Sequence, residues 1–219
     1  DKWVSEVYYP EVLIKSSTRI DRYQIVQKNP TFPSMVAITH YPDVQERIKT
    51  FSNASVISVR EEFATWVKRR VIDYFWQITY ELVRSQRSET TQGQAQTMID
   101  NAPFLHIQGY RLNEEGDKKY SQWLDDYGWN IFIPLLMQLP GVKGYDCYRD
   151  TGVKRTSVVS ENEFPNHISL VYFEDRAAFE NYSNSPEVLA FEKGIRNIFP
   201  NGLNLIWYVQ YQMVKSWRK

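Results

Sequence analysis

The sequence predicts an α+β fold in which two tandem units pair their antiparallel sheets into one pseudo-dimeric α+β barrel. Three features of the chain point there. A ten-residue stretch recurs at one fixed offset: Trp76, Tyr80, Leu82, Val83, Arg84 and Ser85 match Trp207, Tyr211, Met213, Val214, Lys215 and Ser216. Agreement at that many rare positions is the mark of an internal repeat. The second half, taken alone, reads β-α-β-β-α-β. Its strands commit both of their faces, which a single sheet covered by helices on one side does not require.

The elements of the second half follow from local chemistry. Phe104 to Leu112 is a strand bounded by Pro103 and Asn113. Lys118 to Leu139 is helical, with Gly128 and Pro134 as interruptions or kinks. Gly144 to Arg149 is a strand after a turn marked by Gly141, and Thr151 to Pro165 is a polar loop. His167 to Phe173 is the third strand. Asp175 to Asn197 is helical in two pieces, because Pro186 must start a new turn. Leu203 to Lys215 closes the unit. This order is the split βαβ pattern of ferredoxin-like folds.

The first half repeats the pattern from its helix onward. Trp3 to Ser16 is helical and leads into a strand at Tyr23. Phe32-Pro33-Ser34 precedes an apolar strand, as Phe164-Pro165-Asn166 does later. Asp43 and Asp175 then open matching helices, which reach Phe51-Ser52-Asn53 and Tyr182-Ser183-Asn184. The domain reading is therefore 1–88 for the first repeat, 89–102 for a Thr/Gln-rich linker, and 103–219 for the second repeat. The first repeat is expected to lack its opening strand. The chain begins at Asp1 rather than Met, and residues ahead of it are the natural place for that strand; a cleaved leader is one explanation among several.

Alternation divides each strand into two sets. In Phe104 to Leu112, Leu105, Ile107, Gly109 and Arg111 oppose Phe104, His106, Gln108, Tyr110 and Leu112. One face is expected on helices and the other on the second sheet, with an inward set of polar and aromatic groups suited to a cavity.

Composition bounds the function. The 219 residues carry 26 basic and 26 acidic side chains, which argues against a broad nucleic-acid footprint or an anionic membrane partner. No stretch approaches the roughly 20 apolar residues of a membrane span. The single cysteine, Cys147, has no nearby Cys or His, and no cluster has metal-ligand spacing. No Gly-rich phosphate loop or G-x-S-x-G elbow occurs. The expectation is no metal and no cofactor. Aromatics reach 15%, with seven Trp and fifteen Tyr.

The stretch Pro134-Leu135-Leu136-Met137-Gln138-Leu139-Pro140-Gly141-Val142-Lys143-Gly144-Tyr145 resembles a helix end and turn of the dimeric α+β barrel superfamily, nearest to its EthD-like members. The resemblance implies a pocket between sheet and helices for small, often aromatic molecules, frequently handled without cofactor. The chain departs from that pattern where those members often carry a His, two residues before Pro134. Phe132 stands there, and Tyr8 stands at the equivalent place of the first half.

Three histidines occur, His40, His106 and His167. His106, mid-strand in the polar-aromatic set, is the candidate acid/base; the plainer reading is a hydrogen-bonded interior histidine. Gln108, Tyr110, Tyr145, His167 and Tyr208 are candidate ligand-binding residues, since phenol and amide groups orient a planar ligand while rings stack on it. Filling of the sheet interface by the same residues is the alternative. Trp76 and Trp207 are expected as anchors beneath the helices. Three functions stay open: a cofactor-independent enzyme acting on an aromatic or apolar substrate, a non-catalytic ligand-binding module, and a structural duplication. A small-molecule ligand is the expected partner, in a monomeric pseudo-dimer or a homodimer.

Overall fold

The structure, a computed structural model, describes residues 2, 4–15, 19–27, 34–68, 76–88, 102–153, 156–157, 164–199 and 204–218. Most of the expected linker, most of the Thr151 to Pro165 loop, and Trp3, Ser16, Phe32 and Pro33 lie outside the described residues. The strands are β1 (Arg19–Ile25), β2 (Met35–His40), β3 (Trp76–Gln77), β4 (Tyr80–Arg87), β5 (Phe104–Arg111), β6 (Val142–Asp150), β7 (Thr156–Ser157), β8 (His167–Phe173) and β9 (Asn204–Arg218). The helices are α1 (Tyr9–Lys15), α2 (Val44–Phe51), α3 (Ala54–Lys68), α4 (Glu114–Trp123), α5 (Ile133–Leu136), α6 (Arg176–Ser183) and α7 (Pro186–Ile198). Two π-helical stretches, Val4–Tyr8 and Leu124–Phe132, continue into α1 and α5.

Side-chain chemistry sets the helix starts. Asp43, Asn113, Asp175 and Ser185 each accept a hydrogen bond from the backbone N–H three residues on, which satisfies a donor the helix cannot. Gly128 sits inside the second π-helical stretch, and Pro134, which has no N–H to give the continuing helix, stands where that stretch passes into α5. The single long helix read from the sequence is thus three consecutive segments. Pro186 likewise opens α7 after the break at Asn184.

Seven strands form one antiparallel sheet in the order β2-β1-β9-β5-β8-β6-β4, and β3 pairs separately with β7. The registers keep a common pattern. Arg19 faces His40 and Gln24 faces Met35 between β1 and β2; Gly144 faces Tyr172 and Arg149 faces His167 between β6 and β8. Tyr211 to Arg218 of β9 runs along Ile25 to Arg19, and Tyr80 to Arg87 of β4 runs along Asp150 to Gly144.

The sheet curls. Tyr23 on β1 and Tyr148 on β6 influence each other electrostatically although three strands separate them, a span of roughly 19 Å if the sheet were flat. Leu105, Ile107, Leu170, Val209 and Tyr211 fill the concave side, with Trp207 and Met213 packed against them. The convex side carries the helices, through an aromatic core including Tyr110, Tyr120, Trp129, Phe132, Tyr145, Phe173 and Tyr182. A third cluster joins α1 and α3 to Ile20 of β1. Among the described residues no helix is long and apolar enough to cross a membrane.

Two placements differ from the sequence reading. The polar-aromatic set of β5 faces the helices, not the barrel interior, where Leu105 and Ile107 of the other set join the concave cluster. Trp207 therefore packs inside the barrel rather than beneath a helix. The side chain of Trp76 lies outside the described residues.

Gly141, in the turn between α5 and β6, has φ of +79°, and a Cβ there would clash with Ala178 Cβ. Gly141→Ala combines left-handed strain with overpacking, so denaturant titration should show a loss of about 2–4 kcal/mol.

Candidate functional site

β5, β6, β8 and β9 carry every candidate residue on the convex face, because each lies in the same alternation phase of its strand. His106 is fully buried. Its ring lies 4.4 Å from the Tyr208 ring and 5.2 Å from Phe179, centroid to centroid. Nδ1 is 3.3 Å from Gln210 Nε2, while Nε2 has no partner. Burial pushes the imidazole down to about 3, against the pull of the nearby Val209 backbone. The ring is therefore neutral at neutral pH, able to accept a proton only when something desolvated and acidic meets it.

The other candidates form a continuous aromatic wall. Tyr110 donates to Gln108 Oε1 at 3.0 Å and packs at 5.5 Å against Tyr120. Tyr145 donates to Ser169 Oγ at 2.6 Å and meets Trp129 edge-on. Burial raises both phenols above their ordinary range. Tyr208 is 41% exposed and forms the open end of the wall. His167, also a candidate ligand-binding residue, is buried. Its Nε2 lies 2.5 Å from Asp117 Oδ1, and Arg149 Nη2 donates to the same carboxylate at 3.0 Å. Burial lowers its pKa, and Asp117 opposes that without reversing it. The structure thus joins His106 with Tyr208, Gln108 with Tyr110, and His167 to Tyr120 by ring contact at 5.4 Å. His106 and His167 do not meet in any such contact.

Beside the wall lies an open apolar groove of about 280 Å³, lined by Trp123, Tyr127, Ala190, Phe191, Gly194, Ile195 and Ile198. Its floor is fixed by stacking. Phe191 lies flat on Phe132 at 3.5 Å, and Trp123 stacks on Tyr120. Phe132, which stands where the resembling family often has a His, is a buried structural ring here. A Cβ on Gly194 would meet nothing within 4 Å. Sequence reasoning did not single out the groove. Its one signal was a glycine inside an otherwise regular helix, which costs about 1 kcal/mol against Ala unless space is the purpose. Asp117 and Arg149 were also missed, since neither sits in a motif. Among the described residues no group of three or more His, Cys, Asp or Glu is placed to hold a metal.

No family model matches the chain, and no curated protein matches it. Solved structures do. An anthrone oxidase-like protein superimposes with a TM-score of 0.62 and 10% identity, covering 99% of this chain and 86% of that one. A monooxygenase candidate from Fusobacterium nucleatum subsp. nucleatum gives 0.55 at 10% identity, covering 100% and 89%. These likenesses support a ferredoxin-like α+β fold. At that identity the likeness concerns the fold alone. It does not single out the EthD-like branch.

His106 gives a pH signature. With a folded pKa of about 3 against an unfolded value near 6.5, the unfolded chain binds the extra proton between those values. The neutral ring's contribution is complete above pH 6.5 and declines as pH falls toward 3. Between pH 6.5 and 4.5 the wild type should lose about 2–3 kcal/mol from this group alone. Urea titrations of His106→Gln should show that much less loss over the same interval.

Proposed function

We propose that this chain is a small-molecule-binding α+β barrel, built as a tandem duplication, whose ligand is an apolar aromatic molecule held on the helix side of the second unit. The open groove between Trp123, Phe191 and Gly194 supports the reading. Its walls are aromatic and aliphatic, its rings are pre-stacked, and its glycine leaves room where any other residue would fill it. Such a surface gains from burying planar apolar area, at about 25 cal/mol per Å², and spends little on reorganisation. A groove near the lower size limit for ligand sites suits a compact ring system.

A second reading adds chemistry. The buried, unpartnered His106 Nε2 supports it. An orphaned buried polar atom costs on the order of 1–3 kcal/mol, and a group kept at that cost at the foot of an aromatic wall fits a partner for a ligand oxygen, which becomes a base only where ligand entry relieves the burial that depresses its pKa. In that case an aromatic substrate displaces Tyr208, His106 accepts its proton, and Gln108 and Tyr110 orient its oxygen. Oxygenation would then need molecular oxygen as the co-reactant. Tyr145 and His167 back the wall, through Ser169 and Asp117.

Anthrone serves as a planar three-ring probe for both readings. Quenching of tryptophan fluorescence should report binding in the micromolar range, and Gly194→Phe should weaken it at least tenfold without lowering the thermal midpoint. Undiminished binding by that variant would place the ligand elsewhere. Oxygen uptake with the same probe tests the chemistry: a rate above buffer that His106→Ala abolishes supports the base, and identical rates with and without His106 remove it. Native mass spectrometry of the purified protein checks independently for a co-purified ligand.

A further inference from the structure

We infer that Glu192 of α7, facing Tyr208 of β9, forms a site for the ammonium group of an organic amine with a small apolar body. The site lies apart from the groove. Two residues along a helix turn about 200°, so Glu192 and Gly194 sit on opposite flanks of α7. The inference therefore rests on neither functional reading above.

The helix phase turns Glu192 toward the sheet. Val188 and Phe199, four residues before it and seven after, are 4% and 9% accessible and belong to the convex aromatic core. Glu192, on the same side of the helix, is half-buried. Its negative charge reaches three phenols on three elements, Tyr208 of β9, Tyr110 of β5 and Tyr182 of α6, and opposes the ionisation of each.

Nothing in the fold answers that charge. Among the described residues Glu192 makes no ion pair and no hydrogen bond. Other carboxylates set into the fold each meet an arginine: Asp21 meets Arg19 at 2.6 Å, Asp117 meets Arg149 at 3.0 Å, and Asp146 meets Arg87. Tyr182, 3% accessible, and Tyr208 also leave their hydroxyls without a hydrogen bond to any described residue. A carboxylate taken partly out of water without a partner is unfavourable, and a cation from outside removes that cost.

The surroundings favour an amine over other ligands. Phenol rings offer negative faces, so an ammonium set against Tyr208 while meeting Glu192 is held by both. His106, whose ring lies 4.4 Å from that of Tyr208, is neutral at neutral pH and adds no opposing charge. Lys193, the next residue, is exposed and turned about 100° away. An apolar body finds contact beside the charge. Leu189, three residues before Glu192, is 54% accessible, and Leu205, which pairs with Tyr110 between β9 and β5, is 44% accessible. With 26 basic and 26 acidic side chains, the chain as a whole exerts no general pull on cations.

The test is a charge series of one shape: 2-phenylethylamine, 2-phenylethanol and 3-phenylpropanoate, titrated calorimetrically into the full chain at neutral pH and low salt. The amine should bind with submillimolar affinity, at least tenfold more tightly than the alcohol, and the carboxylate should bind more weakly still. Glu192→Gln should bring the amine to the alcohol's level without lowering the thermal midpoint. Equal binding of amine and alcohol by the wild type, or a preference that survives Glu192→Gln, would overturn the inference. Should that variant fail to fold, Tyr208→Ala decides with the wild-type series: it should weaken the amine at least threefold, and undiminished amine binding by it would equally remove the site.

Discussion

The reciprocal pairing of β9 with β1 and of β4 with β6 is the constraint on which the rest of this molecule depends. β9 is fifteen residues long, about 50 Å when extended. Its first part lies on β5 and its last part on β1, so one strand ties two sets of elements into a single sheet. Each seam holds a buried carboxylate. Asp21 is met by Arg19 Nη2 at 2.6 Å and by His40, and Asp146 by Arg87 at 2.5 Å and by Ser85 Oγ at 2.6 Å. Burial alone would raise Asp21, but His40, Arg19 and Ser216 outweigh it and hold the carboxyl below its usual value. Buried pairs like these add little net stability, yet breaking one costs about 3–5 kcal/mol. A one-residue slip would carry each aspartate to the opposite face. The seams thus fix register more than they add strength.

From that register follows the division of labour between the two faces. The concave side closes largely on aliphatic residues and tyrosines. The convex side is left to aromatic rings that must also pack helices. Rings tile imperfectly around a wide π-helical stretch such as Leu124–Phe132. The groove beside Trp123 arises where α7 meets that stretch, with Gly194 keeping the gap open. The placement of the site is accordingly a by-product of where the helix layer cannot be made dense.

The sequence displayed this architecture unevenly, for physical reasons. Strand ends were legible because Pro103, Asn113 and Pro165 punctuate them, and His167 to Phe173 came out with its observed bounds. The Asp43 and Asp175 caps were legible because a helix start needs a specific acceptor. Which face of β5 looks inward was not. Both faces carry large apolar groups, so alternation alone gives two sets without naming their partners. The burial of His167 was hidden for a related reason. Its partner Asp117 lies fifty residues away on α4, and no local pattern announces a contact of that range. His106 was visible as a mid-strand histidine. Its complete enclosure by Phe179 and Tyr208 depended on a helix packing that only the folded chain reveals.

The lone cysteine gains a use from its surroundings. Cys147 sits on β6, 1% accessible, with burial pushing its thiol up to about 12. In that state it is neither exposed nor ionised, so alkylating reagents find no nucleophile. β6 is also the strand that binds β4 at one seam. The chain therefore carries a silent thiol clock beneath its helices: each capture of that sulfur by a reagent marks one moment at which the convex core over β6 has opened.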